Sequence, residues 1–391
     1  MTATPQIPVA PLWNPIPVAM HAQSEFINEQ AITFVRNYAI CRDDRYCDAL
    51  ARAGFGRLAA VWYPYADLER AQLAADFMGW GFIVDDLIDD LTTDRDVLVV
   101  RLHRLLRLLD APLCPPLDDD PLALALVDLR TRLFALATPV HAHRLAVSWR
   151  EAFFGGVWQR AQREVGVGDL ARVTAMRLSD VGMGVITTLC EIAGNYHLAS
   201  ADLVAPPVRA LTEMTWLLAA YDNDIFSLPK ELTDQLADTS IVTLCAIRRG
   251  GDTLQGLADT VGLRNQTMAL FLRLREQTRC GTSAALTQYL GDLGRVVAGS
   301  THFWHTSSRY REGVDTRYAD LLANVAVGGP DHGPDVGNPP PIPAIAWWWG
   351  CLHDRVLEGE QSAVTGTHED GDTRSDPDRT DNPPSESQRR A

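Results

Sequence analysis

Four carboxylates stand within six residues at Asp85-Asp86-Leu87-Ile88-Asp89-Asp90. At the 100° step of a helix, Asp85 and Asp89 share one face while Asp86 and Asp90 share the adjoining one. No Lys or Arg lies three or four residues from Asp85, Asp86 or Asp89, and the first cation that follows is Arg95. Two carboxylates about 6 Å apart repel by roughly 3 kcal/mol at an effective dielectric near 20. A largely apolar stretch, Ala74 to Val84, precedes the acids. They therefore occupy the C-terminal end of that helix, where the macrodipole also disfavours negative charge. A divalent cation relieves both conflicts. Oxygen ligands without a partnering His or Cys favour Mg²⁺ over Zn²⁺, and Mg²⁺ usually arrives with phosphate groups. The plainer alternative is that Asp89, Asp90 and Asp94 mark a helix end, a loop and the next helix start, with Thr92 and Thr93 as caps.

A second stretch, Tyr221-Asp222-Asn223-Asp224-Ile225-Phe226-Ser227-Leu228-Pro229-Lys230-Glu231, offers a matching set. Asn223, Ser227 and Glu231 line an amide, a hydroxyl and a carboxylate oxygen along one helical face over about 12 Å. All three are hard donors suited to Mg²⁺. Pro229 removes one helical hydrogen bond at a cost of about 3 kcal/mol, so a kink between Ser227 and Glu231 is expected. Standing alone, this stretch reads equally as a polar helix face running into a turn at Pro229.

The elements that must carry these groups are helices. Segments near 22–40, 46–53, 67–90, 94–109, 121–136, 140–164, 169–195, 205–231, 240–248, 252–277 and 282–310 have apolar residues spaced by three and four. Breaks fall at Pro64, Pro112-Pro115-Pro116, Gly166-Val167-Gly168, Pro206-Pro207 and Gly250-Gly251. Nothing reads as alternating strands, so the class is all-α, with one helical domain over 21–325. The prolines of residues 1–20 predict an extended arm lying over that domain. Residues 326–363 form a Pro- and Gly-rich extension in which Trp347, Trp348 and Trp349 are expected to cap the domain surface. Residues 364–391 are polar and expected to be disordered.

Composition narrows the partners. A chain of 391 residues, 46% of them hydrophobic, buries one large core or two modest ones. A net charge of −15 argues against nucleic acid and anionic membranes, and it means that an anionic substrate needs local cations. Seven cysteines without paired metal spacing read as reduced thiols. No stretch has the form of a leader or a membrane span, which predicts a cytoplasmic protein. His302 and His305 lack a Cys or carboxylate to complete a zinc set and are expected to have surface or core roles.

Taken together, the two oxygen-bearing stretches resemble the bacterial class I terpene synthases. Asp85, Asp86 and Asp89 match that family's D-D-x-x-D motif, and Asn223, Ser227 and Glu231 its N-D-x-x-S-x-x-x-E triad. The resemblance implies a single-domain helical barrel with an active-site cavity between helices, in which both motifs hold three Mg²⁺ ions against the substrate diphosphate. It further implies diphosphate contacts from Arg177, from Arg309-Tyr310 after Trp304, and from Lys230 beside Glu231. Asn14-Pro15 and Tyr63-Pro64 also match family landmarks, and the likeness covers roughly residues 8–315. After Arg177, Asp180 fits the family pattern, but Val181 stands where a Gly is usual, with Gly182 following. Asp90 extends the acidic motif, with its contact to metal left open.

The implied reaction is ionisation of an allylic isoprenoid diphosphate, with farnesyl diphosphate expected from the family's habits and geranyl or geranylgeranyl diphosphate as alternatives. The cation formed must be folded and shielded from water by apolar and aromatic groups. Stepping back from Asp85 reaches Phe82, Gly81 and Met78, and from Asn223 it reaches Ala220, Ala219 and Trp216. Phe77, Trp80, Phe153, Phe154 and Trp304 are further candidates for the wall. The resemblance also allows a homodimer. A chain-elongating prenyl diphosphate synthase would carry a second D-D-x-x-D where Asn223-Asp224 stands. A non-catalytic isoprenoid-diphosphate binder would not need every ligand position filled by a competent oxygen.

Overall fold

The computed structural model describes residues 9–352 apart from 167, 319, 323, 324 and 329–332. Every regular element among them is helical, and the one β-type pairing is a bridge between Leu12 and Val327. The expectations for 1–8 and for the tail at 364–391 lie outside the described residues.

Helix α4 (Leu68–Asp89) carries the acidic stretch. Asp67 caps it by accepting the Arg70 N–H, and Leu73, Phe77, Trp80, Val84 and Ile88 bury its apolar side. It packs against α1 (Ser24–Asn37), α3 (Phe55–Trp62), α6 (Pro121–Leu136) and α7 (Pro139–Val165). The carboxylate of Asp90 ends α4 and accepts from Thr92 N, Thr92 Oγ1 and Thr93 Oγ1. The cap of the next helix, α5 (Arg95–Asp110), is Asp94 itself, which accepts from Asp96 N and Val97 N. Thr92 and Thr93 stand two residues and one before that cap and instead donate their hydroxyls to Asp90.

Helix α11 (Pro206–Asp234) carries the second stretch and is buried on nearly every side. It packs against α8 (Leu170–Asp180), α9 (Met183–Ala193), α13 (Thr253–Arg279) and α14 (Ala284–Thr306). Pro229 stays within the helix, so α11 runs past the expected end at 231 to Asp234. Tertiary burial outweighs the one hydrogen bond that Pro229 forfeits.

Two breaks fall inside segments that read as continuous. The first separates α8 from α9 at Val181-Gly182, where Gly182 takes φ +68°, a left-handed conformation that costs glycine nothing. The second ends α14 at Thr306, with Arg309 and Tyr310 in a separate 3-10 turn over Ser308–Tyr310. Ser307 Oγ accepts the Arg309 N–H and donates to Ala53 O, which anchors this turn to α2 (Asp44–Ala53). Helix α3 goes unread in the sequence because its eight residues are almost uniformly buried and show no polar face.

The described parts of the arm, from residue 9, and of the extension, to residue 352, pack on the helices. Leu12 is fully buried, and Asn265 of α13 accepts Trp13 N and donates to Pro11 O. Trp347 is partly exposed as a surface cap would be, but Trp348 is fully buried with its indole N–H donating to Glu213 of α11 at 3.0 Å. The change in composition near residue 325 therefore does not interrupt the packing.

Candidate active site

The two oxygen-bearing faces open onto one cavity of ≈ 280 Å³. Asp85, Asp86 and Asp89 line it from α4, and Asn223, Ser227, Lys230 and Glu231 line it from α11. Arg177 and Asp180 of α8, Val181 and Gly182 at the break, and Arg309 and Tyr310 of the 3-10 turn add to the lining, as do Arg163 and Asp224. The approach of α8 depends on Gly155 of α7. A Cβ there would stand 2.5 Å from Asp180 N and 2.7 Å from Ser179 C, backbone atoms that cannot yield. Gly155 thus fixes how far α8 can bring Arg177 and Asp180 inward.

Charge pairing explains how so many acids share the site. Arg309 Nη2 donates to Asp86 at 2.7 Å, and the Tyr46 hydroxyl of α2 donates to the same carboxylate. Burial alone would raise Asp86, yet Arg309, Tyr46 and Lys230 hold it below the usual carboxylate range. Arg163 of α7 donates to Asp89 at 2.8 Å. The neutralising cations that are missing within one helical turn are thus supplied from α7 and from the 3-10 turn. Arg177 donates to Asp180 at 3.0 Å, to Asn223 Oδ1 at 3.0 Å and to Asp224 at 2.6 Å. Its guanidinium is 6% exposed, and the surrounding acids outweigh burial and push its pKa up. Lys230 pairs with Asp234 one turn on, at 3.2 Å.

The site nonetheless keeps an excess of negative potential. Asp85 opens onto the cavity but is ringed by protein, and that desolvation, followed by Asp89 and Asp86, pushes its carboxyl well above the usual range. Burial pushes Glu231 up to about 7, with Asp224 adding to the effect, and Asp180 up to about 6 against the pull of Arg177. Ser227 Oγ joins the α11 triad by donating to Glu231 Oε1 at 2.6 Å. Asp180 Oδ1 and the Nε–H groups of Arg163 and Arg177 are buried without a hydrogen-bond partner among the described residues. Crowded oxygen donors with raised pKa values, beside unspent N–H groups, fit a divalent cation together with an anion.

Of the expected wall, Met78, Gly81, Phe82, Phe153 and Trp304 line the cavity. Phe77, Trp216, Ala219 and Ala220 do not. Phe77 lies about 80° around α4 from Asp85 and packs into the core. Trp216 is covered by α9, with its indole N–H donating to Thr187 at 3.0 Å and Gly184 against its ring, so α9 screens this part of α11. Trp80 sits behind the wall with its ring edge-on to Trp149 at 5.0 Å, and Phe154 is 69% exposed on the far side of α7. Trp149, Met183 and Ile186 line the cavity without having been foreseen. Asp90 is absent from the lining and acts as a helix cap. His305 packs its ring on Phe226, with centroids 5.5 Å apart.

Gly81 sets the space in front of Trp149. A Cβ at Gly81 would come within 2.7 Å of Trp149 Cη2. Gly81→Ala is expected to displace that indole and narrow the cavity, with about 1–3 kcal/mol lost from overpacking. Thermal melting and the product spectrum check this outcome.

Comparison with known proteins places the chain in a family. The family model for terpene synthase family 2, C-terminal metal binding, matches residues 76–269 and implies a divalent metal cofactor. Bonnadiene synthase of Allokutzneria albata is 30% identical over 352 residues, covering 87% of this chain and 97% of that protein. The (2E,6E)-farnesyl diphosphate cyclizing (+)-T-muurolol synthase of Streptomyces clavuligerus is 29% identical over 365 residues, covering 90% and 84%. Diterpene cyclase DtcycA of a Streptomyces species is 26% identical over 360 residues, covering 87% and 95%. Among solved structures, a variant of the SVS_A2 protein from ancestral sequence reconstruction superposes with a TM-score of 0.76 at 26% identity, over 88% of this chain and 98% of that one. No helix among the described residues is long and apolar enough to cross a membrane.

Proposed function

Because the chain belongs to the bacterial class I terpene synthases, we propose that it ionises farnesyl diphosphate and cyclises the allylic cation to a sesquiterpene product, releasing diphosphate. The observation that carries this reading is that Asp85 and Asn223, from helices far apart in sequence, line one cavity together with a set of apolar and aromatic side chains.

In this reading Asp85, Asp86 and Asp89 face Asn223, Ser227 and Glu231 as the ligands of three Mg²⁺ ions. When bound, these ions supply the positive charge that stabilises the departing diphosphate. The chain adds its own donors. Arg177 and Arg163 line the cavity, and each keeps a buried Nε–H with no partner among the described residues, a donor left for a phosphate oxygen. Arg309, Lys230 and the Tyr310 hydroxyl, whose pKa burial holds up at about 12, extend this donor set. Such preorganised groups act most strongly where water is excluded. Below them Met78, Phe82, Trp149, Phe153, Ile186 and Trp304 exclude water and offer aromatic faces to the cation. One face of Phe82 already carries a cation, with the Arg309 guanidinium 5.3 Å from its centroid. Val181 and Gly182 belong to the lining at the α8–α9 break.

The likeness to the (2E,6E)-farnesyl diphosphate cyclizing (+)-T-muurolol synthase favours the fifteen-carbon chain. The likeness to a diterpene cyclase favours a second reading with geranylgeranyl diphosphate. Incubation with Mg²⁺ and each of geranyl, farnesyl and geranylgeranyl diphosphate, followed by gas chromatography of a hexane extract, separates these readings. Volatile hydrocarbons or alcohols are expected from the farnesyl substrate, with their formation abolished by EDTA. With isopentenyl diphosphate added and the aqueous phase treated with phosphatase, alcohols longer than the substrate's would mean chain elongation, and bound but unchanged substrate would mean a non-catalytic binder.

A further inference from the structure

We propose that His141, Glu191 and His197 form a second metal site, outside the cavity, for a Zn²⁺-class ion. His141 lies in the first turn of α7, Glu191 in the last turn of α9, and His197 in the segment that leads to α10 (Ser200–Val204). His141 Nε2 stands 3.3 Å from Glu191 Oε2 and 3.3 Å from His197 Nδ1. One ligand atom from each residue falls within 4.8 Å of the others.

Hydrogen bonding accounts poorly for this geometry. A single ring nitrogen carries either one proton or one lone pair, so His141 Nε2 cannot serve a carboxylate and a second imidazole fully. Both separations also exceed the roughly 2.7–3.2 Å of an N–H···O bond. They match a different length. Ligands about 2.0–2.1 Å from a tetrahedral zinc ion stand roughly 3.3–3.4 Å from one another. Two edges of the coordination polyhedron are thus already set. The third closes by rotation of His197, which is exposed while His141 and Glu191 are buried.

The surroundings hold these ligands in place. Arg144 Nη1 donates to Glu191 Oε1 and Oε2 at 2.9 and 3.0 Å, and Leu198 N donates to Oε2 at 2.7 Å. Arg144 Nη2 continues to Leu198 O at 3.2 Å and Ser200 Oγ at 3.1 Å, fixing the segment that bears His197. Outer contacts of this kind orient ligating groups. Two imidazoles and one carboxylate select zinc, or cobalt and nickel after it, over magnesium, with the exposed side left for water as fourth ligand. None of the three residues lines the cavity. The ion would tie the start of α7 to the end of α9, two helices that supply the cavity wall.

The test uses the full chain, stripped by chelator and then given Zn²⁺ in the presence of excess Mg²⁺, which keeps the oxygen-only cluster occupied. After gel filtration, mass spectrometry of the metal is expected to find one zinc per chain. Substituted Co²⁺ is expected to show the intense visible bands of a tetrahedral site, and zinc to raise the thermal midpoint. His197→Ala, at an exposed position, keeps the fold and is expected to weaken zinc retention by at least about 10- to 100-fold and to remove both the bands and the midpoint shift. Asp85→Asn is expected to leave the zinc content unchanged. Absence of retained zinc in the parent, equal retention in His197→Ala, or loss of zinc in Asp85→Asn would overturn the assignment.

Discussion

Alanine in place of Asn223 is expected to lower turnover of the allylic diphosphate by at least ~10²–10³-fold, the scale on which single preorganised electrostatic groups act, with helical circular dichroism unchanged. The separation of the two effects follows from the contacts. Asn223 loses one hydrogen bond, from Arg177 Nη2, and Arg177 keeps Asp180 and Asp224. One such bond is worth about 0.5–1.5 kcal/mol, a small part of the stability of a domain this size. Asp85→Ala is expected to behave alike in activity, and it removes a carboxyl that burial, and after it Asp89 and Asp86, disfavour in its charged form, so its melting temperature should not fall. Asp224→Ala is the contrast. Asp224 is 2% exposed and accepts from both Arg177 and Ile241 N, so stability and activity should drop together. Steady-state rates and thermal melts on the three variants check the pattern. Retained turnover in both Asn223→Ala and Asp85→Ala would remove the metal-ligand assignment.

The run Asp222-Asn223-Asp224 shows where the sequence is readable and where it is not. Three polar residues in succession on one helix point 100° apart, so they must meet three different environments. Spacing by four selects Asn223, with Ser227 and Glu231, as one face, and that face does line the cavity. Nothing in the spacing tells that Asp224 holds Arg177 and Ile241 N, or that Asp222 is fully buried against Arg264. Those partners lie on α8, α12 (Ile241–Arg248) and α13, and only tertiary packing brings them in. Tyr46 and Arg163 went unread for the same reason, since each reaches its carboxylate from another helix. Helical periodicity located Met78, Gly81 and Phe82 on the cavity face. It failed for Trp216, Ala219 and Ala220, because periodicity gives the direction of a side chain and not what a neighbouring helix puts in front of it.

The buried pair of Arg264 and Asp222 carries the largest expected effect on stability. Both side chains are 0% exposed, with Arg264 Nε donating to Asp222 Oδ1 at 2.8 Å. Arg264 also donates to Thr301 Oγ1 at 3.1 Å and to the Trp13 carbonyl of the arm, while Thr301 donates to Asp222 Oδ2 at 2.5 Å. Arg264→Met leaves Asp222 charged and buried with one hydroxyl for company. Breaking a buried pair in this way costs about 3–5 kcal/mol, enough to lower the melting temperature of a chain this long by roughly 4–7 °C. The arm should loosen as well, because the Trp13 carbonyl loses the guanidinium that donates to it, although Asn265 still accepts the Trp13 N–H. Limited proteolysis near residues 9–20 reads that loosening separately from the melt. The double variant Arg264→Met with Asp222→Leu distinguishes a penalty for stranded charge from a need for the pair itself. Apolar residues of similar volume often replace a buried ion pair without loss, so the double variant is expected to recover most of the melting temperature. The proteolytic sensitivity of the arm should persist, since neither new side chain can donate to the Trp13 carbonyl.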